Sequence, residues 1–346
     1  MEMKMYQLMK ERAYVIAEMS ANHAGSKETA VKLIHAAKMA GADCVKIQTY
    51  TADTMTLDCD NAYFHIGDGT WKGDTLYSLY EKAYMPWEWQ AELKEVTETL
   101  GMDFLSTPFD KTSVDFLESL DVAAYKIASF ELTDLPLIQY VASKGKPVIL
   151  STGMAELYEI DEAVKTIQRE HNSQIILMHC ASAYPAITED MNLYTMQNLK
   201  EVYQVPVGLS DHSMGSVGAI TAVALGAQII EKHFCLDRAI ETPDSSFSMN
   251  PAEFRQMVCD IRQAEKALGS VRYGVKSQEN PNLGFRRSIF VTQDIKKGQK
   301  LTEENIRVIR PGYGAPPKFY GEALGQTALS DLKRGTPLKI SDIGSV

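Results

Sequence analysis

Eight short runs of β-forming residues recur between positions 13 and 230, at 13–19, 44–49, 103–106, 124–128, 147–150, 175–179, 205–209 and 227–230. Stretches with the apolar spacing of amphipathic helices separate them, at 26–40, 87–100, 111–120, 135–144, 160–169, 193–202 and 216–225, and a last helix is expected over 251–268. The first helix shows the local logic. Ser26 can cap its start, Val31, Leu33, Ile34, Ala37 and Met39 supply its apolar face, and Gly41 ends it. Runs too apolar to have a wet face, joined through helices, run parallel. Eight such units in strict alternation predict an α/β fold, a (β/α)8 TIM barrel whose reactive groups gather at the strands' carboxyl ends. An open doubly wound sheet is the rival, but no G-x-G-x-x-G follows an early strand, so a dinucleotide site has no support.

The chain has 346 residues, 45% of them hydrophobic, which is enough for a large core and more than one domain. Residues 1–270 read as the barrel, 271–285 as a linker without clear period, and 286–346 as a small β-rich module. That module repeats itself: D-I-K-K-G-Q-K-L-T-E-E-N-I from Asp294 matches D-L-K-R-G-T-P-L-K-I-S-D-I from Asp331 at Asp, Gly, Leu and Ile. One interval breaks the barrel rhythm. Residues 52–86 are too long for a simple loop and carry Tyr63, Phe64, Trp71, Tyr77, Tyr80 and Tyr84, as expected of a lid on the functional face.

A formal net charge of -10 gives no basic footprint for nucleic acid or an anionic membrane, so an anionic substrate must be met by locally placed lysine and arginine. The five cysteines (Cys44, Cys59, Cys180, Cys235, Cys259) form no C-x-x-C pair, which points to reduced thiols and a cytoplasmic protein. The first twelve residues mix acids and bases and lack a signal peptide's apolar core. The most apolar long window, 219–230, is too short to span a bilayer.

Chemistry-bearing residues cluster at the predicted strand ends: Glu18, Asn22 and His23; Lys46 and Gln48; Ser106 and Thr107; Lys126, Ser129 and Glu131; Ser151 and Thr152; Ser182 and Tyr184; Ser210, Asp211 and His212; Glu231, Lys232 and His233. His212 and His233 follow successive strands and emerge on one rim, where two neutral imidazoles could share a divalent metal; the alternative is that each satisfies a local hydrogen bond. Lys46 and Lys126 lie inside apolar runs, where a charge needs a partner, and with the ring of hydroxyls they suit a compact dianion such as a phosphate ester.

In order along the chain, I-A-E-M-S-A-N-H, K-I-Q-T, S-T-P-F-D, Y-K-I-A-S-F-E, S-T-G-M, G-L-S-D-H and E-K-H-F resemble the sialic acid synthase family, and the tail resembles its antifreeze-like (SAF) domain. The resemblance implies a condensation of phosphoenolpyruvate with an amino-sugar aldehyde. It implies a divalent metal on His212 and His233, Mn2+ first, with Mg2+ or Co2+ as alternatives. It places Lys46, Thr107, Lys126, Ser129, Ser151, Ser182 and Ser210 around phosphoenolpyruvate, with Glu18, Gln48, Glu131, Tyr184 and Asp244 toward the sugar and the reacting atoms. Catalytic roles fall to Glu131 first, then Glu18, with Lys126. It further implies a homodimer in which Arg310, in R-P-G-Y-G, reaches the partner's barrel.

Two departures bear on the substrate. The family's usual first motif reads I-A-E-I-G-x-N-H-x-G, and Asn stands where this chain has Ser182. M-S-A-N-H and the aromatic stretch T-W-K-G-D-T-L-Y-S-L-Y-E-K-A-Y-M-P-W-E-W look closer to the pseudaminic acid branch, whose acceptor is a 2,4-diacetamido-2,4,6-trideoxy hexose of the altrose series; N-acetylneuraminate or legionaminic acid synthesis is the alternative. Outside that class stand a Schiff-base aldolase using Lys126 and a non-catalytic sugar-binding protein.

Overall fold

In the computed structural model, which describes residues 4–344, eight parallel strands close into a barrel in sequence order. They are β1 (Tyr14–Glu18), β2 (Cys44–Thr49), β3 (Asp103–Pro108), β4 (Tyr125–Ile127), β5 (Val148–Ser151), β6 (Ile175–His179), β7 (Val207–Asp211) and β8 (Ile229–His233). β1 pairs with both β2 and β8, which closes the ring. The expected fold is the observed one. The last two strands, however, extend further than the apolar runs at 205–209 and 227–230 indicated, so Ser210, Asp211, Glu231, Lys232 and His233 are strand residues rather than loop residues.

Because successive side chains on a strand point to opposite faces, each strand divides its residues between two cores. Tyr14, Ile16, Cys44, Leu105, Ala124, Ile149, Ile176, Met178 and Ile229 fill the interior. Their neighbours Val15, Ala17, Val45, Ile47, Phe104, Tyr125, Val148, Leu177, Leu209 and Ile230 join a larger core beneath the surrounding helices. The same parity turns Ser106, Asp211 and Lys232 outward, which corrects their reading as rim groups. Ser106 bonds Thr49 and the Ile47 carbonyl, while Lys232 and Asp211 form a buried ion pair at 2.9 Å.

The mixed-charge amino terminus forms a helix, Lys4–Glu11, whose Met5 and Met9 pack on the interior core at the strands' amino ends. Its signal is only the i, i+4 methionine pair. The 52–86 excursion contains two short helices, Ala52–Met55 and Leu76–Ala83, each opened by a threonine capping box. Among the described residues no helix is long and apolar enough to cross a membrane.

Contacts divide the chain into two compact units, Met1–Gly269 and Ser270–Val346. In the second unit, the stretch expected to be a linker carries a run of 3-10 turns, Ser277–Phe285, followed by two small antiparallel pairs, β9 (Ser288–Val291) with β10 (Ile306–Ile309) and β11 (Thr327–Ala328) with β12 (Ile343–Gly344). The sequence repeat has a structural counterpart. Asp294 accepts from Lys333 Nζ (2.7 Å) and the Arg334 N–H (2.9 Å), and Asp331 accepts from Lys296 Nζ (2.8 Å) and the Lys297 N–H (2.9 Å). A core of its own, including Ile289, Val291, Leu301, Ile306 and Leu338, lies beneath.

Gly208 is required by close approach: a Cβ there would meet the Ile229 carbonyl oxygen of the neighbouring strand at 2.5 Å. Gly208→Ala is expected to destabilise the barrel by about 1–3 kcal/mol. The same change at Gly321, where no atom lies within 4 Å, should leave the thermal midpoint unchanged or raised. Thermal denaturation of the two variants checks this; equal midpoints would refute the steric argument.

Candidate active site

At the carboxyl ends of the strands the interior changes from apolar to charged. Lys46 Nζ lies 2.7 Å from Glu18 Oε2 and 3.5 Å from Glu231 Oε1, and Lys126 Nζ lies 3.8 Å from the same Glu231 oxygen. Hydroxyls fasten onto this network. Lys46 donates to Thr107 Oγ1 (3.3 Å), Lys126 to Ser151 Oγ (2.7 Å), Ser210 to Glu231 (3.2 Å) and Gln48 Nε2 to Glu18 (3.2 Å). The structure thus brings together residues from β1, β2, β3, β4, β5, β7 and β8 that the sequence scatters over more than two hundred positions.

Burial sets the charges. It pushes the Glu18 carboxyl up to about 7 against the pull of Lys46. It pulls the Lys126 ammonium below its usual range, with Glu231 opposing. Burial acts on Lys46 in the same sense, but Glu18 and Glu231 outweigh it and leave that ammonium raised. At Glu231 burial is overcome by Lys126 and Lys46, and the carboxyl stays low. Glu231 is therefore the shared counter-charge of both lysines. The sequence marked it as a rim residue without a role; its signal was position on an inward-facing parity with two lysines.

Ser129, Cys180 and Ser182 form a second cluster where β4, β5 and β6 end. Ser129 Oγ accepts from the Gly153 N–H (3.1 Å) and lies 2.9 Å from Cys180 Sγ, which is 3.4 Å from Ser182 Oγ. A Cβ on Gly153 would meet all three side chains within 2.8 Å, so the turn after β5 admits only glycine without rearrangement.

His212 and His233 stand with ring centroids 5.4 Å apart, and Tyr184 lies against them at 4.4 and 6.3 Å. His212 Nδ1 is 3.1 Å from the Ala181 carbonyl, which can only accept. That nitrogen therefore carries the proton, and Nε2 keeps its lone pair. Burial drives the His212 pKa down to about 4 and that of His233 well below normal, so both rings are neutral. His233 Nδ1 is buried without a hydrogen-bond partner among the described residues, 4.0 Å from Asp244 Oδ2. Neutral, inward and incompletely satisfied imidazoles fit a divalent cation. Among the described residues no group of three or more His, Cys, Asp or Glu side chains is placed to hold one, so water or substrate oxygen would complete the shell.

Beside the histidines opens a cavity of about 440 Å³ with Gln48, Glu131, Tyr184, His233 and Asp244 on one side and Met55, Ile66, Trp71, Leu79 and Tyr80 of the 52–86 segment on the other. Trp71 Nε1 donates to the Pro243 carbonyl (2.9 Å) and Thr70 to the Tyr184 carbonyl (2.5 Å), which ties the segment across the mouth. Two of its aromatic rings, Trp71 and Tyr80, line the cavity, whereas Tyr63 is 91% exposed. Burial pushes Glu131 up to about 7, and its Oε2 has no hydrogen-bond partner among the described residues. Burial also raises Asp244, which accepts from the Ala21 N–H at 3.4 Å. Arg310 belongs to the second unit, exposed, before a cis prolyl bond.

Fold and site together define a (β/α)8 barrel with a buried pair of lysines in its mouth beside a second, less polar cavity. The NeuB family model matches residues 33–273, and the SAF domain model matches residues 286–344. The chain is 47% identical over 332 residues to a pseudaminic acid synthase of Campylobacter jejuni subsp. jejuni, covering 96% of this chain and 97% of the relative. It is 38% identical over 330 residues to the N,N'-diacetyllegionaminic acid synthase of Legionella pneumophila, covering 94% and 93%. The crystal structure of the spore coat polysaccharide biosynthesis protein SpsE from Bacillus subtilis matches with a TM-score of 0.65 at 37% identity, covering 96% and 95%. The chain belongs to the NeuB family and carries a SAF domain.

Proposed function

We propose that the protein condenses phosphoenolpyruvate with 2,4-diacetamido-2,4,6-trideoxy-L-altrose and water, giving pseudaminic acid and phosphate. The observation that carries the reading is the adjacency of two environments in one barrel mouth. One wall is a hydroxyl-lined pair of buried lysines, and the other is a cavity roofed by Ile66, Trp71, Leu79 and Tyr80. The first suits a phosphate and carboxylate, the second a deoxy sugar with two acetamido groups. The identity of 47% to a pseudaminic acid synthase, against 38% to a legionaminic acid synthase, supports the same choice of sugar.

The chemistry follows from the groups present. Lys46 and Lys126 orient the phosphoenolpyruvate anion so that its methylene carbon faces the aldehyde in the lidded cavity. A divalent cation on His212 and His233, Mn2+ with Mg2+ or Co2+ as alternatives, supplies Lewis-acid polarisation of the aldehyde oxygen when bound. The new carbon–carbon bond forms as the enol electrons move to the aldehyde carbon, the aldehyde oxygen takes a proton from Glu18, whose raised pKa of about 7 keeps a protonated fraction at neutral pH, and the former enol carbon becomes cationic. Glu131, ionised, accepts a proton from the water that adds to this carbon, with Glu18 the second carboxylate in reach of the network. Cleavage of the carbon–oxygen bond to phosphate, with the added hydroxyl's proton passing to the departing phosphate, then leaves the 2-keto acid. The lid excludes water from the earlier steps.

A phosphate-release assay across the pseudaminic, legionaminic and N-acetylneuraminic acid precursors, with and without Mn2+, tests the proposal. Release is expected with the altrose-series sugar and metal, and its loss in His212→Ala and His233→Ala. Release from another sugar only would refute the choice of acceptor, and full activity of either variant in chelator would refute the metal. Lys126, pulled down by burial, also suits an imine-forming aldolase. Borohydride trapping with pyruvate would label the protein under that second reading alone.

Glu131 gives a pH dependence. Its pKa, raised to about 7, leaves the carboxyl largely protonated at pH 6 and unable to take a proton. Turnover is therefore expected to fall as pH drops through 7, and Glu131→Gln should lose activity at all pH values together with that limb. An unchanged acid limb in Glu131→Gln would move the role of base elsewhere.

We extend the proposal to assembly as a cytoplasmic homodimer in which the partner's second unit supplies Arg310 to the sugar. The family resemblance supports the dimer, and the free state of the five cysteines supports the compartment. Inactive Arg310→Ala and His212→Ala chains should regain part of their activity when refolded together; no recovery in verified mixed dimers would confine Arg310 to its own chain.

A further inference from the structure

Cys180 immediately follows β6, is 4% exposed, and has no part in the chemistry above. Its surroundings give it one. A serine hydroxyl has one proton and two lone pairs, so donors that fill those lone pairs leave the proton as the one thing it can offer an anion and hold it turned outward. Around Ser129 the Gly153 N–H fills one, at 3.1 Å. The nearest remaining partner is Cys180 Sγ, at 2.9 Å, a contact in which either atom could donate. If the hydroxyl donated to sulfur, its only proton would be spent on a weak acceptor inside the cluster. If the thiol donates, both lone pairs of Ser129 are filled and its proton is left for a ligand.

We propose that Cys180 is a positioning residue of the anion site: its S–H, with the Gly153 N–H, fixes Ser129 as an obligate donor to phosphoenolpyruvate. The assignment rests on the phosphoenolpyruvate reading and adds to it a residue that does not touch the substrate. Gly153 has the same logic from the other side. Its missing Cβ lets the thiol and the two serine hydroxyls converge, since a methyl there would lie 2.5 Å from Cys180 Sγ and 2.8 Å from Ser129 Oγ. Three successive strand ends thus contribute the hydroxyl itself, a backbone donor to it and a thiol donor to it. Ser182, 3.4 Å from the sulfur, is the competitor for the single thiol proton.

Titration calorimetry of phosphoenolpyruvate with the full chain tests this, with inorganic phosphate as a second probe. Cys180→Ala should weaken phosphoenolpyruvate about three- to ten-fold, the range of one ordinary hydrogen bond, and affect the Michaelis constant for phosphoenolpyruvate rather than that for the sugar. Cys180→Ser, which keeps a donor, should recover most of the loss; a thiol acting only as a small apolar filler would make serine the worse replacement. In a Ser129→Ala background the Cys180→Ala effect should shrink to less than about two-fold, because the hydroxyl it positions is gone. Should Cys180→Ala fail to fold, the isosteric pair Cys180→Val and Cys180→Thr reads the same donor. Wild-type protein that binds neither probe overturns the reading beneath the proposal. Wild-type binding together with an unaffected Cys180→Ala, a serine variant no better than alanine, or independent effects in the double variant overturns the role of Cys180 alone.

Discussion

Two ammonium groups, on Lys46 and Lys126, are 3% and 2% exposed in a single barrel mouth, and two carboxylates, Glu18 and Glu231, are 1% and 4% exposed beside them. None of the four would be tolerated there singly, since an unpaired buried charge is costlier than any contact it could make in return. Their coexistence demands that β1, β2, β4 and β8 end at matched heights, which only the closed ring provides. The hydroxyls of Thr107, Ser151 and Ser210 are fixed in turn by bonds to the same charges. An anion in this mouth would therefore have to compete with Glu231, and with Glu18 where it is ionised, for the lysines.

Beneath this layer the interior is apolar, and behind it the outward faces of β7 and β8 carry a buried pair of their own. Lys232 binds Asp211 at 2.9 Å and also the Ser213 carbonyl, while Asp211 accepts from the Ser213 N–H and hydroxyl. His212 lies within that knot and His233 one residue beyond Lys232. The inward imidazoles are thus braced by outward charges on the same two strands, which gives E-K-H and S-D-H-S a structural division of labour by parity.

How much of this the sequence disclosed follows the physics of each signal. The eight strands were legible because runs buried on both faces need no alternation, and the helices because theirs is conspicuous. The ends of β7 and β8 were not, because Ser-Asp and Glu-Lys-His look like loop until their partners are known; pairing with the neighbouring strand makes them strand. The two-histidine rim, the lysines and the hydroxyls were readable as residue types at strand ends. Which of them face inward was not, so Asp211 and Lys232 were counted with the site and Glu231 was left without a role. The helix Lys4–Glu11 escaped notice because its buried signal is two methionines among charges, and the lid's internal order escaped because it rests on single bonds such as Trp71 to Pro243.

The crossed aspartates of the second unit have a consequence of a different kind. Asp294 is bonded by the later copy of the repeat and Asp331 by the earlier one, and Ile295 and Leu332 bridge between them. Each copy closes its own turn, Gln299 N–H onto the Lys296 carbonyl and Thr336 N–H onto the Lys333 carbonyl, but each aspartate draws its donors from the twin. A chain that ended between them would leave Asp294 without Lys333 and Arg334, so during synthesis the bonds that join the copies form only after the second has been made.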